Sequence, residues 1–520
     1  MIFTSPLPPV RLPTAALTPY TLERAGEMAG KAAFIDGATG RTMTYGEFED
    51  AVRRQAGGWV ESGLAKGEVV AIMAPNCPEY GVLFHAVALA GGVVTTINPT
   101  YTAGEVHHQL VDSRAVRLVT IPLFLETAAT AIAGSAVTEV YVIGESEGYA
   151  SIASIAGVPL AEQVPVDQDD VVVLPYSSGT TGLSKGVMLT HRNLVSNIEQ
   201  VLGAIPVNDD DAAVAVLPFF HIYGMQVLMN VGLRGGATIV TMPRFDLEQF
   251  LSLHQEYHLT QAFVAPPMVV ALAKHPVVDN YDLSSLRRIN SGAAPLSAEL
   301  ATECGERIGC EVVQGYGMTE LSPVSHCTPP GMFKPGSVGV TVPNTEVTIV
   351  DPATRASLGV DEDGEVWVRG PQVMKGYLNN PEATALTIDR DGWLHTGDLA
   401  RVEENGSLRI VDRIKELIKY KGYQIAPAEL EALLLTHPRI ADAAVIPLAD
   451  EDSGEVPKAF VVPSGRITPE EVTRFIAERV APYKKLRAVE IVEEIPKSPA
   501  GKILRRVLIE RQRTAATSTR

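Results

Sequence analysis

Two kinds of segment alternate along the first part of the chain: short apolar runs and longer stretches with one apolar face. The apolar runs are residues 69–73, 93–97 and 116–120, and the helical patterns between them are residues 79–90 and 103–111. Thr44 and Glu47 have the spacing of a capping box, which predicts that a helix begins after Thr44. Strands that alternate with helices predict a parallel, doubly wound sheet.

The same alternation returns between residue 171 and about residue 289. Apolar runs at residues 171–174, 213–217 and 238–241 are separated by helical patterns, of which the first is 191–202. A second α/β half is therefore predicted, although no sequence repeat relates it to the first. From about residue 338 the pattern changes to short β-type runs at 347–350, 365–369, 399–402 and 408–411, which predict a smaller β-rich subdomain.

The segment after residue 411 has the pattern of a compact α+β unit. Pro427 is placed for the first turn of a helix, Thr468 and Glu471 open another, and residues 459–462 and 489–492 resemble strands. The small, polar tail 511–520 is predicted to be disordered. The predicted fold class is thus α/β. A large N-terminal domain (1–411) contains two doubly wound α/β halves plus a β-rich subdomain, and a small α+β C-terminal domain (412–520) follows.

Composition adds limits to this picture. Of the 520 residues, 46% are hydrophobic and 20% are charged, as in an ordinary globular protein. The net charge of −18 disfavours binding to nucleic acid or to anionic membranes, so any ligand phosphates must meet local cations. Four scattered cysteines have no metal or redox spacing, which indicates buried thiols in a reducing compartment. The sequence shows no secretory signal and no clean membrane span, so we expect a cytoplasmic protein.

The segment from Tyr176 to Gly186 follows an apolar run and combines glycines, serine and threonine hydroxyls and Lys185. Glycines let backbone N–H groups approach a ligand closely, and the hydroxyls and the lysine add donors and positive charge. This combination suits a polyphosphate. It is not a Walker A loop, because Lys185 is followed by glycine rather than by serine or threonine. Taken alone, it fits a flexible polar connection equally well.

Seven further segments contain residue types that can carry chemistry. They are residues 218–224, 291–295, 314–320, 393–398, 412–413, 419–424 and 496–502. The first places His221 and aromatic residues after a strand end, where α/β sheets bind ligands. Taken singly, His221, Glu320 and Lys502 are compatible with ordinary structural or solvated side chains, and the lysines of 415–421 with a solvated face. The order and spacing of all eight segments together are hard to obtain by chance.

Together these segments resemble the adenylate-forming acyl-CoA synthetase superfamily, and within it the 4-coumarate–CoA ligases. The resemblance runs from about Thr44 to Arg506 and is carried by residues 176–186, 220–223, 291–296, 315–320 and 415–422. It implies a large N-terminal domain and a small mobile C-terminal domain, with a hinge near Asp412.

The resemblance also implies a reaction in two half-steps. A carboxylate attacks the α-phosphorus of MgATP to give an acyl-adenylate and pyrophosphate, and the thiol of CoA then displaces AMP to give a thioester. A hydroxycinnamate-type aromatic acid is the favoured substrate. Because negative charge accumulates in the first half-step, the enzyme mainly has to supply positioned cations and hydrogen-bond donors.

Nucleotide-binding residues follow from matching the motifs. The expected set is Ser177, Ser178, Gly179, Thr180, Thr181 and Lys185 for the β- and γ-phosphates, Thr319 for the α-phosphate, Glu320 for Mg²⁺, Gln314, Gly315 and Tyr316 for adenine, Asp398 and Arg413 for ribose, with Lys415 and Lys419 nearby. Lys502 is expected to bridge the substrate carboxylate and the α-phosphate. A cation there would offset the repulsion between two anions. Lys502, His221, Thr319 and Glu320 are the expected catalytic residues.

The residues for CoA and for the acid come from the same comparison. CoA is expected to contact Arg244, Lys421 and Gly422, and the acyl pocket is expected to be lined by His221, Tyr223, Val227, Ala293, Gly315 and Gln424. The sequence departs from the plant pattern at Val227, at Asn290 in place of a lysine, and at Ser325 and His326 where apolar residues are usual.

These departures leave other acids and other activities open. The pocket is also compatible with a medium- or long-chain fatty acid or with a phenylacyl acid. A free-standing adenylation enzyme that loads a carrier protein, a luciferase-type oxygenase and a non-catalytic nucleotide-binding relative share the same motifs. Intact Lys185, Glu320 and Lys502 argue against the last of these. Both a monomer and a homodimer are compatible with the sequence.

Overall fold

The computed structural model of the protein describes residues 1–177, 184–421, 423–450, 453–499 and 501–518, with backbone only for residues 515–518. Two mostly parallel sheets form the centre of the N-terminal domain, as the alternating pattern predicts. The first has eight strands, in the order Gly376–Tyr377, Lys185–Thr190, Val171–Ser177, Val93–Thr96, Val69–Met73, Arg117–Thr120, Glu139–Val142 and Ala150–Ser151. The strands from Val171–Ser177 onward in this order are parallel, and the two that precede it are antiparallel.

The second sheet has seven strands, in the order Glu311–Gln314, Arg288–Ser291, Gln261–Val264, Ala212–Ala215, Thr238–Thr241, Ala32–Asp36 and Thr42–Thr44. All neighbours are parallel except the final hairpin. The chain divides between the sheets differently from the prediction. The strand Val171–Ser177 pairs with Val93–Thr96 of the first sheet, while Ala32–Asp36 joins the second. Apolar periodicity shows that a strand is buried but does not show which sheet it joins.

Helices cover the faces of both sheets. In the N-terminal domain they are Leu17–Thr21, Tyr45–Glu61, Pro78–Leu89, Ala103–Ser113, Leu125–Ala131, His191–Ala204, Gly232–Gly235, Leu247–Glu256, Pro266–Lys274, Ala298–Ile308 and Pro381–Thr387, with a wider π-helix at Tyr223–Val231. The predicted capping box is confirmed. Thr44 Oγ1 accepts a hydrogen bond from Glu47 N, and Glu47 Oε2 accepts one from Thr44 N at 2.8 Å.

The predicted β-rich subdomain is an antiparallel sheet of five strands. Its order is Ile2–Thr4, Glu346–Val350, Gly364–Arg369, Leu394–Val402 and Leu408–Arg413. A separate three-stranded sheet is formed by the strands Tyr316–Gly317, Val324–Cys327 and Val340–Thr341. The N-terminal strand Ile2–Thr4 was not predicted from its short sequence. It pairs with Glu346–Val350 across more than 300 residues of chain.

The C-terminal domain has a sheet and an apolar core of its own. The strands are Ile418–Tyr420, Tyr423–Ile425, Ile440–Asp450, Gly454–Pro463 and Ala488–Ile491, and the helices are Pro427–Leu435, Pro469–Ala477 and Arg505–Ser518. Apolar residues after 417 pack into separate clusters, as expected for a second domain. The last helix extends to Ser518, so the predicted disorder of the tail does not hold for residues 511–518. Alanine, arginine and glutamine in this tail are good helix formers, which explains the continuation.

Two expectations from composition can be compared with the fold. All four cysteines are free, and burial raises the pKa of Cys304 and Cys327 to about 12, as expected for inert buried thiols. Among the residues that the structure describes, no helix is both long and apolar enough to cross a membrane.

Candidate active site at the domain boundary

The glycine-rich segment lies between two antiparallel strands of the first sheet. Ser177 ends one strand, Lys185 begins the next, and the two residues lie opposite each other in the pairing. Ser178, Gly179, Thr180 and Thr181 lie outside the described residues. The structure therefore places the two ends of the expected phosphate-binding segment side by side.

Glu320 connects this segment to a third part of the chain. It lies in the short helical turn Thr319–Leu321 and is buried. Its Oε1 accepts hydrogen bonds from Ser177 Oγ and from Tyr377 OH, each at 2.9 Å, while its carbonyl accepts one from Met374 N. Ser177, Glu320 and Lys185 are thus brought together as the sequence predicts.

Tyr377 is a site residue that sequence reasoning missed. Besides holding Glu320, its ring lies 4.9 Å from Lys185 Nζ, a cation–π distance. Burial and the nearby carboxylate of Glu320 raise the pKa of Tyr377, so its hydroxyl stays a donor at neutral pH. The only signal in the sequence is a tyrosine after the Lys375–Gly376 dipeptide, which does not distinguish it from an ordinary buried tyrosine.

The carboxylate of Glu320 is suited to be a single protein ligand of a metal ion rather than part of a full set of protein ligands. Its Oε1 has two donors, and its Oε2 has no donor among the described residues. The described part of the chain contains no group of three or more histidine, cysteine, aspartate or glutamate side chains that could hold a metal. A single carboxylate fits Mg²⁺, which usually takes one or two protein carboxylates and completes its shell with phosphates and water.

Asp398 is the centre of the expected ribose site. Its Oδ2 accepts a hydrogen bond from Tyr316 OH at 2.6 Å, and its Oδ1 lies 3.4 Å from Arg413 Nε. Asp398 and Arg413 face each other across neighbouring strands. Burial raises the pKa of Asp398, and the positive charge of Arg413 opposes that rise. The predicted grouping of Tyr316, Asp398 and Arg413 is therefore present.

Three further side chains pack around this site: Gln314, and Ser325 and His326, which stand where apolar residues are usual. Gln314 Oε1 accepts from Leu296 N at 3.1 Å, so the side chain holds the loop that follows Ser291. Ser325 and His326 are fully buried, and the His326 ring lies 5.9 Å from that of Tyr316. Hydrogen bonds of His326 to the hydroxyls of Ser325 and Thr341 fix it there.

Lys502 reaches the same place from the C-terminal domain. Its loop is closed by Ser498, whose N–H donates to the Lys502 carbonyl at 2.8 Å and whose Oγ accepts from Lys502 N. Burial, with a smaller contribution from the charge of Arg413, lowers the pKa of Lys502 to about 8, although Glu416, Asp398 and Glu320 act in the opposite direction. Lys502 is therefore near enough to both Glu320 and Asp398 for their charges to act on it.

The neighbouring Gly501 shows how closely the two domains meet. A Cβ atom added to Gly501 would lie 2.7 Å from the Cβ of Ala265, at the start of the helix Pro266–Lys274. The backbone of Gly501 is also in the left-handed region, with φ of +80°. Only glycine satisfies both conditions without strain.

His221 and Tyr223 form one wall of the expected acyl pocket. His221 Nδ1 accepts from Tyr223 N at 3.2 Å, and Tyr223 OH donates to the Asn290 carbonyl at 3.2 Å. The Tyr223 ring lies so close to Gly292 that an added Cβ would be 2.7 Å from it. Burial lowers the pKa of His221 to about 4, with a further contribution from Lys502, so His221 is neutral at physiological pH.

The other expected acyl residues, Ala293, Gly315 and Val227, differ in exposure and in packing. Ala293 is exposed in a left-handed conformation with φ of +71°. Gly315 is needed for a close approach, because a Cβ there would lie 3.2 Å from the His326 carbonyl. Val227 lies on the π-helix and lines a cavity of about 20 Å³ with Ala213, Phe263 and Gln261. That volume is near the minimum for one water molecule.

Residues expected to bind CoA or to reach the site after a domain rotation are at the surface. Arg244 is exposed after the strand Thr238–Thr241. Lys419 and Gln424 are paired on the exposed hairpin of Ile418–Tyr420 and Tyr423–Ile425, and Lys421 is exposed at its turn. Lys415 is exposed nearby, and Gly422 lies outside the described residues. No contact recorded for the described residues joins Gln424 to His221 or Tyr223, and its role stays a prediction.

Two charged residues near Lys502 were also missed. Arg505 donates to both carboxylate oxygens of Glu431, at 2.8 and 2.6 Å, and also pairs with Glu416. Glu416 in turn lies 3.6 Å from Arg413. This chain of charges connects the Lys502 loop to the ribose side. In the sequence these residues look like ordinary surface charges, because pairing between distant residues leaves no local pattern.

Comparison with known proteins agrees with this geometry. A family model described as AMP-binding enzyme matches residues 22–378, and one described as AMP-binding enzyme C-terminal domain matches residues 429–502. The chain therefore belongs to the AMP-binding enzyme family, and the resemblance seen in its motifs is confirmed.

The relatives narrow the class further. The chain is 44% identical to 4-coumarate–CoA ligase 2 of Petroselinum crispum, covering 98% of this chain and 96% of that protein, and 45% identical to 4-coumarate–CoA ligase 3 of Oryza sativa subsp. japonica, covering 99% and 95%. Among solved structures it is similar to the anthranilate CoA ligase AuaEII in complex with anthranoyl-AMP, with a TM-score of 0.91 at 26% identity and coverage of 98% and 99%. ATP-bound MatB from Rhodopseudomonas palustris gives 0.88 at 30% identity, covering 96% and 99%.

The contact at Gly501 yields a prediction. Gly501→Ala should slow acyl-adenylate formation about tenfold, because the added methyl group pushes the Lys502 loop away from Ala265, and tenfold corresponds to only about 1.4 kcal/mol. The rate of pyrophosphate release measures this step. Gly406→Ala is the matched control, since Gly406 has the same φ of +80° but no atom within 4 Å of an added Cβ. Equal effects of the two substitutions would show that backbone strain, not the contact between domains, is responsible.

Proposed function

We propose that this protein is an ATP-dependent acid–CoA ligase that acts on a hydroxycinnamate-type aromatic acid. It forms an acyl-adenylate with release of pyrophosphate, and then an acyl-CoA thioester with release of AMP. Two findings support this proposal: the whole-length similarity to 4-coumarate–CoA ligases and the set of residues around Lys502.

The observation that carries the proposal is the position of Lys502. An attacking carboxylate and the α-phosphate are both anions, so their repulsion is the main electrostatic barrier to adenylation. Lys502 comes from a different domain and is near enough to Asp398 and Glu320, of the expected ribose and metal sites, for their charges to raise its pKa. A cation there lowers the energy of the transition state, where negative charge accumulates on the phosphate oxygens.

The triphosphate occupies the region that Ser177, Lys185 and Thr319 surround. Lys185, which lies above Tyr377, is expected to bind the β- and γ-phosphates together with the motif residues 178–181, and Thr319 is expected to bind the α-phosphate. Glu320, oriented by Ser177 and Tyr377, is the residue that would hold Mg²⁺. The metal, when bound, neutralises phosphate charge and helps pyrophosphate to leave.

The nucleoside lies against Tyr316 and Asp398. Gly315 and Tyr316 form the adenine shelf with Gln314 behind it, and Asp398 and Arg413 bind the ribose hydroxyls. Lys415 and Lys419 follow on the same segment and face the nucleotide or CoA.

Thioester formation follows a rotation of the C-terminal domain about Asp412. Rotation removes Lys502 after its charge is no longer needed and brings Lys421 and Gly422 to a CoA tunnel, with Arg244 meeting a CoA phosphate. Asp412 is buried in the strand Leu408–Arg413, and its Oδ2 accepts from Ala428 N at 2.9 Å. That bond attaches the hinge residue to the first turn of a C-terminal helix.

The acid lies between His221, Tyr223 and Ala293, and its ring extends toward Asn290. Asn290 is buried, and its Nδ2 has no hydrogen-bond partner among the described residues. A hydrocarbon tail would leave this donor unsatisfied, at a cost of about 1–3 kcal/mol, whereas a ring hydroxyl would accept its hydrogen bond. This observation favours a hydroxylated aromatic acid over a fatty acid.

The direct test is incubation with ATP, Mg²⁺ and CoA and a panel of acids. The panel contains 4-coumarate, cinnamate, benzoate, phenylacetate and medium- and long-chain fatty acids, and both AMP and acyl-CoA are measured. We expect 4-coumarate to give CoA-dependent AMP and thioester. Failure of every acid to give thioester above a CoA-free control would overturn the proposed activity, and a preference for fatty acids would overturn the proposed substrate class.

The unpaired amide of Asn290 gives a second prediction. Asn290→Leu should reduce the ratio of kcat/KM for 4-coumarate to that for cinnamate by about tenfold, because only 4-coumarate loses a hydrogen bond. Asn230→Leu provides a control, since Asn230 is equally buried but its Nδ2 is bonded to Gln226 on the π-helix. An unchanged ratio in Asn290→Leu would contradict a role for this amide in recognising the ring hydroxyl.

The lowered pKa of Lys502 gives a third prediction, on pH. Because that pKa is about 8, the ammonium form dominates below pH 8 and is lost as the pH rises through it. The value of kcat/KM for ATP in adenylation reports groups of the free enzyme, so it should fall on the alkaline side with a midpoint near pH 8. Lys502→Arg should keep a weak activity without this alkaline decline, because arginine stays protonated. The same midpoint in Lys502→Arg would assign the titration to another group.

A further inference from the structure

The helix Pro266–Lys274 of the N-terminal domain touches the C-terminal domain at both of its ends. At its start, Ala265 is in contact with Gly501, as described above. At its end, Lys274 Nζ donates a hydrogen bond to the Leu435 carbonyl at 2.7 Å. None of the catalytic or binding roles proposed above involves Lys274.

The acceptor of this bond is a favourable partner for a cation. Leu435 is the last residue of the helix Pro427–Leu435, whose final carbonyls lack donors within the helix and carry partial negative charge. The next two N–H groups, of Thr436 and His437, donate to the carbonyls of Leu433 and Leu434. The Leu435 carbonyl receives no hydrogen bond from this turn. Lys274, which belongs to the N-terminal domain, donates one to it.

The end of the helix that carries the donor, Lys274, is held in place by Arg307. Arg307 donates to the carbonyls of Leu272 and Ala273, at 3.2 and 2.8 Å, and to that of His275 at 2.9 Å. The end of the helix that carries Lys274 is therefore held within the N-terminal domain. Lys274 itself is half-buried, so part of its stem is already ordered by packing.

Two contacts at opposite ends of one helix fix an orientation, not only a distance. A helix of nine residues is about 13 Å long, so Ala265 and Lys274 hold the C-terminal domain at two well-separated points. With both contacts made, the Lys502 loop points into the site. Rotation about Asp412 would move Leu435 and Gly501 away from this helix and break both contacts.

We propose that Lys274 is a positioning residue for adenylation: by capping the helix that ends at Leu435, it holds the C-terminal domain in the orientation that delivers Lys502. This inference rests on the proposed two-step ligase reaction. A contact made in only one of two orientations shifts their equilibrium, so its loss acts with opposite sign on the two half-reactions.

The experiment compares both half-reactions in three variants. In Lys274→Met, which keeps the length and apolar stem of the side chain, adenylation measured by pyrophosphate release should fall about fivefold. Thioester formation from pre-made 4-coumaroyl-AMP and CoA should stay equal or rise. Lys274→Arg retains a charged donor and should recover most of the adenylation rate.

Lys484→Met is the matched control. Lys484 Nζ binds Glu429 at 2.7 Å, on the same helix Pro427–Leu435, but that pair lies entirely within the C-terminal domain. We expect it to leave the ratio of the two half-reactions unchanged. Should Lys274→Met fail to fold, Lys274→Gln, whose amide is too short to reach Leu435, allows the same comparison.

The outcomes separate this inference from the proposed function. If the unaltered enzyme makes no acyl-CoA, the proposed function fails. If it does, and Lys274→Met lowers both half-reactions equally or neither of them, Lys274 has no role in orienting the domain. A selective loss of adenylation that Lys274→Arg restores supports the proposal.

Discussion

The repulsion between two anions is the constraint on which the rest of this structure depends. A carboxylate can attack a phosphate only if a cation is present between them, and in a buried site that cation is itself costly to hold. In the proposed reaction one lysine, Lys502, meets both demands; its charge is opposed by burial and by Arg413 and supported by Asp398, Glu416 and Glu320. The balance leaves the pKa near neutrality and the ammonium form available.

Because that lysine belongs to a separate domain, the position of its charge depends on how the C-terminal domain is oriented. In the proposed reaction the Lys502 loop moves as a unit with the rest of its domain. Arg505 Nη2 donates to both carboxylate oxygens of Glu431 and so anchors the chain three residues after Lys502, and Glu416 links Arg505 back toward Arg413. On the other side of the boundary, the helix Pro266–Lys274 offers a rigid surface that is held at its end by Arg307. The electrostatics of the site therefore depend on the rigidity of the contacts around it.

Sequence was sufficient for the elements and for the residues that local motifs contain. Strand and helix periodicity located most of the two α/β sheets, the β-rich subdomain and the helix starts at Thr44 and Thr468. Motif spacing singled out Glu320, Asp398 and Lys502, which the fold brings near one another and whose roles stay predictions. It failed where the answer depends on distant pairing. The strand Val171–Ser177 joined the first sheet, because its partner Val93–Thr96 is chosen by tertiary packing and not by its own pattern. Tyr377 and Arg505 were missed for the same reason: their partners Glu320 and Glu431 lie far away in the chain.

The close approach of Gly501 to Ala265 has a consequence for the fate of the intermediate. An acyl-adenylate is a mixed anhydride, which water can hydrolyse before the thiol of CoA reacts with it. Since an added Cβ at Gly501 would already lie 2.7 Å from Ala265, the space between the two backbones is too narrow for a water molecule. While the two domains are in this contact, no water molecule fits between Gly501 and Ala265. The same glycine that lets the Lys502 loop approach the N-terminal domain therefore also leaves no water-sized gap at this point of the domain boundary.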